Sequence, residues 1–62
     1  MFLQLNDDTL VNKYWLFNVY INPADNTQVV YEMVNGGKVY EKFGDSTKAS
    51  TRLTAVITEL TN

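Results

Sequence analysis

The chain contains no cysteine and no histidine, a single proline and three glycines. Without cysteine there is no disulfide framework, no thiolate zinc site and no thiol catalysis. Without histidine the commonest metal ligand and the usual general base at neutral pH are both missing. Charge is scarce as well. Five basic and seven acidic residues leave a net charge of −2, with a sequence pI of about 4.7, a balance that disfavours phosphate-driven binding of nucleic acid. No apolar run approaches the ~20 residues that a membrane helix needs. The apolar start Met1-Phe2-Leu3-Gln4-Leu5 has no basic flank and is followed at once by Asp7-Asp8. It is therefore not read as a targeting segment, and the expected location is the cytoplasm, the host's if the chain is viral.

What remains suits one small domain. The chain has 62 residues, of which 45% are hydrophobic and 19% charged, too apolar for a disordered tail. A domain of this size buries only about 60% of its unfolded chain's surface, so marginal stability is expected.

Residues 2–5 read as a strand, and Asn6-Asp7-Asp8-Thr9 as a turn, because Asn and Asp bond their own backbone and tolerate left-handed geometry. A second strand is expected over 9–12. Residues 14–21 are dense in aromatic and β-branched side chains and give the strongest strand signal. Their alternation sets Trp15, Phe17, Val19 and Ile21 on one face and Tyr14, Leu16, Asn18 and Tyr20 on the other. Asn22-Pro23-Ala24-Asp25-Asn26 breaks the pattern. Strands 27–34 and 38–43 flank the loop Asn35-Gly36-Gly37, whose glycines supply positive φ. A three-residue loop with a glycine bulge is predicted, placing Met33 opposite Val39, Tyr31 opposite Glu41 and Val29 opposite Phe43. On the other face it places Val34 by Lys38, Glu32 by Tyr40 and Val30 by Lys42. Asp45 or Ser46 can cap a helix over 47–60. Ala49, Leu53, Val56, Ile57 and Leu60 form its apolar stripe, with threonines 47, 51, 54 and 58 on the far side.

The expected fold is α+β: an antiparallel β-meander of four to five strands with one C-terminal α-helix packed on one face. Leu3, Leu5, Trp15, Phe17, Val19, Ile21, Val29, Tyr31, Met33, Val39 and Phe43 would lie under the helix. Tyr14, Leu16, Tyr20, Val30, Val34 and Tyr40 would remain on the open face, apolar enough to call for a partner.

Three segments carry a resemblance. They are Leu5-Asn6-Asp7-Asp8-Thr9-Leu10-Val11-Asn12, the run from Val30 to Gly37, and the lead into the helix, Phe43-Gly44-Asp45-Ser46. In layout the chain resembles very small proteins of bacteriophages and bacterial mobile elements that have a β-meander and a C-terminal helix. Asp8 stands where such openings often carry glycine. The resemblance spans most of the chain and supplies no catalytic motif. It implies an accessory protein that acts by binding host or virion components.

Each candidate site has a plainer reading. Asp7 and Asp8 are a weak metal candidate, but adjacent turn carboxylates diverge, and they are read as a solvated turn. Glu32 and Glu41 are candidate paired acids, yet the predicted register sets them on opposite faces. Glu32 is then a surface residue among lysines, and Glu41 lies at the sheet margin, because a buried unpaired carboxylate is costly. Trp15 can anchor a partner, but its apolar strand face favours the core. The threonine array is read as a polar helix face. Gly36-Gly37 is read as a turn, since no Lys-Thr pair or helix follows as in a phosphate loop.

No activating base stands near a nucleophile, so no enzyme is expected and no cofactor is required. The expected function is a small protein-binding module, a homodimer or a binder of a host protein, blocking that protein if it is an inhibitor. Its working surface is the open sheet face, with Tyr14, Leu16, Tyr20, Val30 and Tyr40, or an edge strand. The alternative is a single-stranded nucleic-acid accessory protein that stacks bases on Tyr14, Tyr20 and Tyr40, with Lys38 and Lys42 on phosphates. A third reading is a structural component of a viral particle.

Overall fold

The computed structural model describes residues 2–61. Five antiparallel strands form two sheets, and one C-terminal helix packs against them, an α+β meander. Strands β1 (Phe2–Gln4) and β2 (Leu10–Asn12) pair as a ribbon. A 3-10 turn over Lys13–Trp15 leads into β3 (Leu16–Ile21), β4 (Gln28–Met33) and β5 (Lys38–Lys42), in spatial order β3-β4-β5. Helix α1 spans Ser46–Thr61.

Two sheets replace the single one that the sequence pattern suggested, because β1 and β2 pair with each other and not with β3, β4 or β5. The ribbon turns at Asn6-Asp7-Asp8-Thr9, where the Asp7 carboxylate accepts the Thr9 N–H at 3.1 Å and Leu5 N–H donates to the Thr9 carbonyl at 2.9 Å. Asp8 takes φ 67°, the left-handed conformation that glycine adopts without strain and aspartate tolerates. Leu3, Leu5 and Val11 are buried with Val29, Tyr31, Ala49 and Val56 in one core cluster. Helix α1 lies over β3 and β4, and Asn6 ties the ribbon to β5. Ribbon and helix thus share the work of covering one face of the three-stranded sheet.

The start of β3 departs from the predicted alternation. Leu16 pairs with Met33 but Asn18 pairs with Glu32, so Phe17 is an extra, bulged residue. One inserted residue reverses the facing of everything before it. Leu16 therefore packs against the core together with Val19 and Ile21, and it does not lie on the open face. Trp15 and Phe17, expected under the helix, are 59% and 70% exposed. Tyr14 and Trp15 belong to the 3-10 turn, which Asn12 caps by accepting the Tyr14 N–H at 3.0 Å. Neither is a strand residue.

The β4–β5 loop has three residues, Val34-Asn35-Gly36, one position earlier than predicted. Met33 N–H donates to the Gly37 carbonyl at 2.7 Å and closes it, and Asn35 Oδ1 accepts the Gly37 N–H at 2.9 Å. Gly36 takes φ 90°, which only glycine occupies cheaply. The register accordingly places Tyr31 opposite Val39 and Val29 opposite Glu41. Glu32 faces Lys38 directly, and Val30 faces Tyr40. The displacement is two residues, so every side chain keeps its predicted face.

Asp45 caps α1 by accepting the Lys48 N–H at 2.8 Å. Of the predicted stripe, Ala49 and Val56 are buried and Leu53 and Leu60 are partly so. Ile57 stays 47% exposed. Thr54, Thr58 and Thr61 turn their hydroxyls back onto carbonyls one helical turn earlier, which occupies the polar face.

Candidate functional site

Three surfaces or clusters concentrate chemistry. The first is a buried knot around Glu41. This carboxylate is 1% exposed, in contrast to the marginal position expected for it. Tyr31 Oη donates to Oε1 at 2.6 Å and Arg52 Nε to the same oxygen at 3.0 Å. The Asn6 backbone N–H donates to Oε2 at 2.8 Å. Arg52 also reaches the Gln4 carbonyl at 2.8 Å, and Asn6 Nδ2 the Lys42 carbonyl at 2.6 Å. The knot joins β1, the ribbon turn, β4, β5 and α1. Burial, then the hydrogen bond and the charge of Glu41, hold the Tyr31 phenol well above its ordinary value. Partial burial pulls the Arg52 guanidinium down, but the hydrogen bond and charge of Glu41 outweigh it, so the group sits above its usual value. With three donors on Glu41 and a phenol held protonated, the arrangement suits holding elements together better than moving protons.

The second surface is the open face of the sheet. Its central row runs Tyr20–Val30–Tyr40, and a neighbouring row runs Asn18–Glu32–Lys38. Lys42 stands across from Gln28 at the other end. The predicted residues Tyr20, Tyr40, Lys38 and Lys42 do share this face. Val30 lies in the same row but is 1% exposed between its two tyrosine neighbours, so it cannot contact a partner. Leu16 belongs to the core, and Tyr14, 81% exposed, stands on the 3-10 turn. The five-residue patch expected from the sequence is therefore not assembled as one surface.

The third surface was missed by the alternation argument. The Val34 N–H donates to the Trp15 carbonyl at 2.8 Å, which ties the β4–β5 loop to the 3-10 turn. An exposed apolar rim results: Tyr14 at 81%, Trp15 at 59% and Val34 at 66%. Next to it, a groove of about 440 Å³ runs between β3 and the C-terminal half of α1, lined by Leu16, Phe17, Val19, Ile57 and Leu60. Lys13 and Glu59 pair at 3.6 Å beside the groove. The sequence signal that was available is the Asn12-Lys13 pair just before the aromatic run, since an asparagine cap announces a turn there.

Thr27 donates its hydroxyl and its N–H to Asp25, the Thr9 N–H donates to Asp7, and these interactions with Thr27 and Thr9 hold both carboxyls below their ordinary value. These are turn interactions. Among the described residues no three acidic side chains gather as a metal ion would require. No helix among them is long and apolar enough to cross a membrane. No family model matches the chain, and neither does any curated protein or solved structure.

Proposed function

We propose that the chain is a small non-catalytic protein-binding module, a phage or mobile-element accessory protein that acts by binding a host protein. The observation that carries this reading is the exposure of its only tryptophan on a rim with Tyr14 and Val34. Burying one large apolar side chain contributes about 1.5–3 kcal/mol. A chain of marginal size forgoes that contribution at each of these positions, and a partner that covers the rim recovers it. Tryptophan and tyrosine are also the residues most enriched at binding hot spots. The layout resemblance to small mobile-element proteins supports the biological setting.

The test uses the chain as bait in a bacterial lysate, with a Trp15→Ser/Val34→Ser variant in parallel. Both substitutions are at exposed positions, so circular dichroism of the two baits should agree. The reading expects a protein held by the wild type and lost from the variant. Identical protein sets on the two baits would refute it.

A second reading draws on the Tyr20–Val30–Tyr40 row. Two tyrosines beside Lys38 and Lys42 present stacking surface and positive charge to an unpaired strand. Fluorescence anisotropy with a single-stranded oligonucleotide tests it. Binding that weakens steeply with salt and disappears in Tyr40→Ala supports this reading, and no binding at low salt removes it.

A further inference from the structure

We propose that the outer edge of β3 seats a second copy of this chain, paired antiparallel about a two-fold axis at Tyr20, so that two three-stranded sheets become one of six strands. The surface differs from the rim of Tyr14, Trp15 and Val34, and the proposal does not depend on what that rim binds.

The backbone supplies the first argument. Asn22 N–H donates to the Gln28 carbonyl at 3.0 Å, and the same register continues with Tyr20 opposite Val30 and Asn18 opposite Glu32. Bonded pairs alternate along an antiparallel ladder. The N–H and C=O groups of Val19 and Ile21 therefore point away from β4. Among the described residues, no backbone hydrogen bond from another element reaches them.

The two edges of the sheet differ. β5 carries Lys38, Glu41 and Lys42, and Asn6 covers it by donating to the Lys42 carbonyl. β3 contains neither a charged residue nor proline. Charges, prolines, bulges and covering loops are the devices that keep sheet edges from pairing. Only the bulge at Phe17 blunts β3, and it leaves Asn18 to Ile21 regular. Next to this stretch lie Phe17, 70% exposed, and Ile57, 47% exposed although it belongs to the apolar stripe of α1. Both line the same groove.

These features fit a second copy of the chain. A register centred on Tyr20 sets Val19 of one copy opposite Ile21 of the other and satisfies every outward N–H and C=O of both residues. It avoids the bulge. On the open face Tyr20 meets Tyr20 as a non-hydrogen-bonded pair with Cα atoms about 4.5 Å apart, the closest kind, where aromatic pairs are favourable. A neutral strand opposes no like charges when it meets itself. An isologous interface of standard size takes about 800 Å² from each partner. That is roughly a fifth of the 4134 Å² that the chain exposes. The broadest side of the molecule measures 28 × 24 Å, somewhat under that area in projection, so the pair belongs at the smaller, concentration-dependent end of such interfaces.

Sedimentation of the wild-type chain from about 1 μM to about 1 mM should show a species of twice the 7.1 kDa chain mass. Tyr20→Glu, which opposes two carboxylates at the axis, should weaken association at least about tenfold. Tyr20→Cys gives the chain its only thiol at a spacing suited to a disulfide, and should oxidise to a covalent dimer at least about tenfold faster than Ser50→Cys on the exposed helix face. Should Tyr20→Glu unfold, amide exchange of wild-type Val19 and Ile21 decides, because it should slow as concentration rises. A 7.1 kDa species throughout, a dimer indifferent to Tyr20→Glu, equal oxidation of the two thiols, or exchange at Val19 and Ile21 that ignores concentration would each overturn the proposal.

Discussion

Arg52→Met should be close to the limit of what this fold tolerates. The guanidinium donates to Glu41 Oε1 at 3.0 Å and to the Gln4 carbonyl at 2.8 Å, and its side chain is 27% exposed. Methionine keeps most of the apolar stem and removes both bonds. Glu41, 1% exposed, then retains only the Tyr31 hydroxyl and the Asn6 N–H. Removing one partner of a buried ion pair costs about 3–5 kcal/mol, because the remaining charge is left in a poor solvent. A chain of 62 residues has a total stability of about 3–9 kcal/mol at the usual ~0.05–0.15 kcal/mol per residue. The loss is thus comparable with the whole. Urea unfolding followed by far-ultraviolet circular dichroism measures it, and the midpoint should fall by about 3 M at the low slopes typical of small domains. Tryptophan emission is a poor probe here, since Trp15 is 59% exposed in the folded chain. A triple variant, Tyr31→Phe/Glu41→Leu/Arg52→Met, removes the charges together and should recover much of the loss, short of the ~1–3 kcal/mol left by the unpaired Asn6 N–H. A single Arg52→Met variant within about 0.5 kcal/mol of wild type, the range of ordinary surface substitutions, would show that Glu41 is not sealed and refute the reasoning.

Further outcomes follow from the same geometry. The Tyr31 phenol is held above its ordinary value of 10.0 in the folded chain, so its contribution is fully present below pH 10 and is lost as pH rises beyond it; alkaline unfolding should begin there and be weaker in Tyr31→Phe. Asp45→Ala removes the cap on the Lys48 N–H and should cost about 0.5–2 kcal/mol in thermal or urea unfolding. Gly36→Ala meets no atom within 4 Å but must hold φ 90°, so it should cost about 1–2 kcal/mol through the backbone alone, with no change in binding at the Trp15 rim.

Much of the fold was legible because the interactions that set it are local. Each turn is closed by a side chain bonding a backbone group two or three residues away. Asp7 does this for Thr9, Asn22 for Ala24, Asn35 for Gly37 and Asp45 for Lys48. Such bonds depend on residue type and spacing, which a sequence displays directly. The helix stripe was equally readable, since Ala49, Leu53, Val56 and Leu60 repeat at the helical period and do pack on the core. Part of the open face was legible too. Tyr20, Tyr40, Lys38 and Lys42 alternate in step within regular strands, and a register displaced by two residues left their facing unchanged.

The sequence by itself therefore determined the order of the strands and the helix and the approximate positions of most turns, but not the 3-10 turn over Lys13–Trp15, and it excluded thiol and imidazole chemistry. Tertiary structure alone decided which aromatic residues face solvent. One extra residue at Phe17 reverses the alternation of everything before it, and nothing in the run of apolar side chains marks where that residue falls. Tertiary structure also decided the fate of Glu41. A carboxylate is excluded from a core only while it is unpaired, and the donors that admit it come from Tyr31, Asn6 and Arg52, the last two lying 35 and 11 residues away along the chain. Facing and burial are set by partners across space, so they enter only once the chain has folded.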